Sequence, residues 1–178
     1  MSKPGLAALG LVLCMTTSAS AQSADGIFQV HPVPTLKGSD TIVVSYNGAS
    51  APSVASMCVN VYAFAASTGA MLDCCSCRVP ADAMAIIPII TDVLEKPKAK
   101  PKQVVLKLIA SSGTQFACSP STPGTGSDTL VNGMLAWKGG IPFTPATLSA
   151  GELSNTLVQC SSIHGDAKIC AACIPPVS

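Results

Sequence analysis

Short apolar runs closed by glycine, proline, serine or asparagine recur along the chain, and this pattern predicts a mainly β fold. "DTIVVSYNG" (40–48) is β-branched and ends at Asn-Gly. "SMCVNVYAFA" (56–65) alternates, with Cys58, Asn60, Tyr62 and Phe64 on one face and Val59, Val61 and Ala63 on the other. "STG" (67–69) turns it back into "AMLDCCSCRV" as a hairpin. "AMAIIPII" (83–90) reads as a further strand, and Pro88, lacking an N–H, places it at an edge or a bulge. "QVVLKLIAS" (103–111) is the strongest strand pattern, and "TLVNGMLAW" (129–137) reads as a hairpin turning at Asn132-Gly133.

The period changes near the end of the chain. In "TLSAGELSNTLVQCSSIHG", Ser149 and Glu152 have the spacing of a capping box, and Leu153, Leu157 and Cys160 recur at helical intervals. One helix is expected from about 150 to 163. The fold class expected is therefore an antiparallel β-sandwich, Ig-like or related, with one C-terminal helix. Two Pro/Gly-rich stretches, "EKPKAKPK" (95–102) and "SPSTPGTGSD" (119–128), read as exposed loops.

The first residues change the picture. Lys3, the apolar run from Leu6 to Met15 and the small-residue tail "TTSASAQSA" read as a secretory signal peptide over 1–21, with Ala19-Ser20-Ala21 as cleavage motif and Ser23-Ala24 as a later alternative. The run is too short to span a bilayer. Leu13 is bulky where lipidation of Cys14 would need a small residue. The domains expected are this signal, an N-terminal extended segment over 22–39, and one β domain over 40–178, in a secreted protein, extracellular or periplasmic. Without Lys3 the chain keeps nine basic residues against nine acidic ones, so no net field exists to draw nucleic acid.

Cleavage also removes Cys14 and leaves Cys58, Cys74, Cys75, Cys77, Cys118, Cys160, Cys170 and Cys173. An even set of cysteines sent to an oxidising compartment predicts a disulfide framework, whose connectivity sequence does not choose. If residue 64 pairs with 71, Cys58 lies opposite Cys77, or opposite Cys75 after a two-residue shift. Cys74 then faces away, toward the C-terminal CxxC or Cys118. The alternative is a zinc site, since Cys74-x-x-Cys77 and Cys170-x-x-Cys173 have the spacing of four thiolate ligands. A thiol-redox centre would want a helix N-terminus beside the CxxC, which neither motif has in this pattern.

"MCVNVYAF", "MLDCCSCRV", "VVLKLIAS", "GMLAW", "FTPATLSAGELSNTLVQC" and "ICAAC" together resemble a group of uncharacterised secreted bacterial proteins. The resemblance covers most of the chain after the signal. It implies one secreted domain with this order of elements, and it transfers no active site.

The remaining candidates for chemistry are sparse. A hydrolase would rely on His164, with Asp166 near it in sequence and Cys160 one turn earlier; the plainer role for His164 is at a helix C-terminus. His31 is flanked by proline. Asp73, Asp82, Asp92, Glu95, Asp128, Glu152 and Asp166 are scattered, with no pair set by one element. Lys96, Lys98, Lys100 and Lys102 form a basic loop without aromatics to stack bases, and "GTGSD" lacks the lysine of a phosphate loop. Trp137 is the one aromatic suited to a surface site, with core packing as its plainer role. The sequence thus points first to a non-enzymatic structural or interaction module with no catalytic residues and no cofactor, acting on an extracellular or cell-surface partner. A metal or thiol-redox protein and a hydrolase assembled only in three dimensions are the alternatives.

Overall fold

A computed structural model of the chain describes residues 26–94, 101–113, 118–164, 168–171 and 173. The segment expected to be a signal peptide and most of the basic loop, including Lys96, Lys98 and Lys100, lie outside the described residues, as do Glu95 and Asp166. Among the described residues nine strands and one α-helix follow one another: β1 (Phe28–Val33), β2 (Thr41–Tyr46), β3 (Ser56–Ala65), β4 (Met71–Pro80), β5 (Met84–Pro88), β6 (Val104–Ser111), β7 (Met134–Lys138), β8 (Ile141–Pro142), β9 (Thr144–Pro145) and α1 (Ala150–His164). They form two antiparallel sheets, a five-stranded one in the order β4-β3-β6-β1-β9 and a four-stranded one in the order β5-β2-β7-β8.

Alternation along the strands explains the layers. Ile42, Val44 and Tyr46 of β2 and Met134 and Ala136 of β7 meet Val59, Val61, Leu106 and Leu108 of the larger sheet in one buried core. The opposite face of the larger sheet is covered as well. Phe28, Tyr62, Phe64, Cys74 and Ile109 pack there against Leu157 and Cys160 of α1. With both faces covered, β3 is buried from Met57 through Phe64, although its sequence alternates. Each large apolar side chain so enclosed contributes roughly 1.5–3 kcal/mol.

The helix starts as its capping box predicts. Glu152 N–H donates to Ser149 Oγ at 3.1 Å. Lys107 of β6 reaches Glu152 at 2.6 Å and lies over the Phe64 ring at 4.8 Å, tying the first turn to the sheet. β5 is an edge strand, in keeping with Pro88, and passes into a single π-type turn over Ile89–Val93, closed by Leu94 N–H on the Ile89 carbonyl.

Three expectations are corrected. The segment expected to precede the β domain contributes a strand to it, because β1 lies between β6 and β9. Its Pro32 is tolerated because β9 covers only Gln29 and Val30. The Asn132-Gly133 stretch is not a hairpin. Val131 N–H donates to Ala110 of the larger sheet, while β7 pairs with β2 in the smaller one, so the segment crosses between sheets. Gly133 is required there by its φ of 103°, and a Cβ would lie 2.6 Å from the Asn47 carbonyl. Third, the β3–β4 hairpin keeps Phe64 opposite Met71, but a bulge at Leu72 sets Ala63 opposite Asp73. Cys58 therefore faces Arg78, not Cys77 or Cys75.

Candidate functional site

The bulge decides where the clustered cysteines go. It places Cys74 opposite Tyr62, toward α1, and Cys75 and Cys77 opposite Val61 and Val59, toward the inter-sheet core. Neighbouring cysteines on a pleated strand must point to opposite faces, so the three thiols address three separate partners. Cys74 is bridged to Cys160 on the helix, Cys75 to Cys170 and Cys77 to Cys173. Cys58 is bridged to Cys118, which anchors the loop after β6. The two CxxC motifs are thus not brought together as a set of four: Cys74 and Cys77 lie on opposite faces. Among the described residues no group of three or more His, Cys, Asp or Glu side chains is placed to hold a metal ion.

The C-terminal segment does more than supply cysteines. Ser76 N–H donates to the Lys168 carbonyl and Cys170 N–H donates to the Ser76 carbonyl, both at 2.9 Å. Residues 168–170 therefore run parallel to β4 and cover the outer edge of the larger sheet.

Beside this edge lies a buried cluster of ionisable side chains. Asp73, with no exposed surface, accepts from Lys168 Nζ at 3.1 Å through each carboxylate oxygen. His164 Nε2 bonds Asp73 Oδ1, and Cys74 N–H donates to the same oxygen at 2.8 Å. The side chains of His164 and Lys168 are only 4% and 9% exposed, so all three groups are withdrawn from water. A carboxylate alone in such a place would be strongly unfavourable, and the Lys168 ammonium together with the hydrogen bonds from Cys74 and His164 offsets that cost. The cluster joins β4, the end of α1 and the C-terminal segment at one point, between the Cys74–Cys160 and Cys75–Cys170 bridges.

As chemistry, this arrangement differs from a hydrolytic triad. His164 spends Nε2 on the carboxylate, and among the described residues no hydroxyl or thiol is hydrogen-bonded to its ring. Cys160, the nucleophile considered from sequence, is consumed in a disulfide. His164 is at the helix end as expected, but its carboxylate is Asp73, 91 residues away. The sequence held one signal for it: Asp is disfavoured in strands, and "AMLDCCSCRV" sets one inside an apolar run.

A second buried polar chain crosses the helix side of the larger sheet. Ser76 Oγ donates to Asn60 Oδ1 at 2.5 Å, Asn60 Nδ2 to Ser111 Oγ at 3.1 Å, and Ser111 Oγ to Asp128 Oδ2 at 3.2 Å. Gly113 N–H also donates to Asp128, at 2.8 Å. Burial holds the Asp128 carboxyl above its ordinary pKa, against the opposing pull of these two donors. Tyr62 completes the set by donating to the Pro120 carbonyl at 2.8 Å. The loop over 118–130 is thereby fixed to the sheet by hydrogen bonds as well as by the Cys58–Cys118 bridge.

The other candidates lie apart. Asp82 sits at the β4–β5 turn and accepts from Gly48 N–H at 3.2 Å. Asp92 is buried in the π-type turn beside Thr91, and Glu152 pairs with Lys107. Lys102 is exposed, its carbonyl accepting from Leu36 N–H. His31 stacks on Phe143 with ring centroids 4.7 Å apart. Its pKa is lowered by burial and by the nearby Lys138, against a bond to the Pro142 backbone. Trp137 is not a core residue. Val44 and Ala136 point inward as a pair, so the adjoining pair Val43 and Trp137 faces outward from the smaller sheet. No family model, curated protein or solved structure matches the chain.

Proposed function

We propose that the protein is a secreted, non-enzymatic structural or interaction module, made to keep its shape outside the cytoplasm. The observation that carries this reading is the convergence of three bridges on one strand. β4 is tied through Cys74, Cys75 and Cys77 to the helix and to the segment that covers its edge, and a fourth bridge fixes the longest loop. Disulfides on this scale persist in oxidising compartments. The buried polar groups Asp73, His164 and Lys168 are turned on one another rather than toward a cleft. Among the described residues no helix is long and apolar enough to cross a membrane. The sequence-level resemblance to secreted bacterial proteins agrees with this reading.

The test is intact mass and thiol titration on protein recovered from periplasm and medium without reductant. The reading expects a chain beginning at Gln22, lighter by eight hydrogens than its reduced form, with no titratable thiol. Protein retained in the cytoplasm, or four free thiols with one bound zinc, would refute it.

A further inference from the structure

The outer face of the smaller sheet, on which Trp137 stands, is largely apolar. Register places Ile86, Val43, Trp137 and Pro142 in a single row across β5, β2, β7 and β8. Met84, Ser45 and Leu135 form the next row. Met84 is 64% and Ile86 59% exposed. No outward position of the four strands carries a charge; among the described residues Asp82 stands at the β4–β5 turn and the Lys138–Asp40 pair, at 3.1 Å, occupies inward-alternating positions at the rim. The larger sheet differs in having its outer face covered by α1. Contiguous apolar surface of this kind marks an interaction site on a soluble protein.

We propose that this face packs against the same face of a second copy of the chain. Two properties select that occupant. An uncharged apolar face can meet itself across a two-fold axis without bringing like charges together, so it is complementary to its own copy. Its size also suffices. Three strands of about five residues and one of two, at about 4.8 Å spacing and about 3.3 Å per residue, give a footprint of roughly 270 Å². Side chains standing off the pleat roughly double the accessible area, so a pair of faces removes about 1,100 Å², just above the roughly 1,000 Å² that a specific interface has to clear. Sheets stack face to face at about 10 Å in this way within sandwiches, and here the stacking continues between molecules. A glycan is the poorer occupant, since a single indole among aliphatic side chains gives one stacking platform. The inference rests on the interaction-module reading and names its partner.

Trp137 is the only tryptophan of the chain, so its emission reports on this face alone. The oxidised protein is diluted from about 100 μM to about 0.1 μM while molar mass, by light scattering or sedimentation, and Trp137 emission are followed. The expected result is a two-chain mass that falls to one chain, with a red shift over the same range. Ile86→Lys weakens association by roughly thirtyfold or more, with unchanged circular dichroism and no free thiol. Ser45→Glu, on the same face, serves where Ile86→Lys fails to fold, and Val158→Lys on the exposed side of α1 leaves association intact. A wild type that stays monomeric throughout overturns the proposal, as does a dimer that survives both face variants. A monomer whose Trp137 emission shifts only with an added polysaccharide overturns it too and assigns the face to a glycan. None of these results alters the mass and thiol test of secretion, so the two readings fail separately.

Discussion

Removing the disulfides one at a time should rank them in the reverse of their sequence separations. Cys58–Cys118, Cys74–Cys160 and Cys77–Cys173 span 60, 86 and 96 residues. Taken alone, each bridge would restrict the unfolded chain according to that span. They are not alone, because Cys75–Cys170 remains in each variant. With it in place, Cys74 and Cys160 are already joined by a covalent detour of about 11 residues, ten from 160 to 170 and one from 75 to 74. For Cys77 and Cys173 the detour is about five residues, whereas for Cys58 and Cys118 no route is much shorter than about 60. Loop-closure entropy then gives about 4 kcal/mol for Cys58–Cys118, about 3 for Cys74–Cys160 and about 2 for Cys77–Cys173. Paired Cys→Ala variants remove similar buried volume in each case, so packing losses shift all three together. Urea unfolding of the three double variants without reductant, with mass confirming the other bridges, measures the order. If the Cys77–Cys173 variant is the least stable, the nested-loop account is wrong.

Asp73→Asn preserves shape but removes the charge shared by Lys168 and His164, and should cost about 3 kcal/mol in urea unfolding; a loss under about 1 kcal/mol would show that the cluster is not the lock described here. His31 has its pKa lowered from 6.5 on folding, so the unfolded chain binds the extra proton first, and the stability held at neutral pH is lost as pH falls through 6.5 toward the folded value. The urea midpoint should therefore drop between pH 7 and about pH 5 by more in the wild type than in His31→Gln, and equal slopes would count against it. Ser149→Ala should lower stability by about 1 kcal/mol through the lost cap, with helix content by circular dichroism falling under heating before the sheet signal does.

Much of this architecture was legible because the signals were local. Pro88 announced an edge, "STG" a turn, and Ser149 with Glu152 a helix start. What could not be read were choices made between distant segments. One extra residue at Leu72 inverts the faces of β4, and nothing in "AMLDCCSCRV" distinguishes a bulged strand from a regular one. Asn-Gly at 132–133 has the positive-φ chemistry of a hairpin, yet here it serves a crossing where Gly133 meets Asn47. Trp137 reads as core by hydrophobicity; only the pairing of β7 with β2 turns it outward. The Asp73 cluster was hidden for the same reason, its three members meeting across 95 residues of chain.

The pairing of the cysteines also sets a timetable. In chain order none of the eight is bridged to its immediate neighbour, and the three thiols of β4 have partners 86 to 96 residues further on. If the chain is exported as proposed, oxidation in order of emergence would join Cys58 to Cys74 and Cys75 to Cys77, neither of which belongs to the folded protein. The three native bonds of β4 can form only after α1 and the segment beyond it have arrived, so early bonds to these thiols have to be undone by thiol–disulfide exchange. In an oxidising compartment such a chain would call for disulfide isomerisation as well as oxidation, and oxidation alone would leave trapped chains.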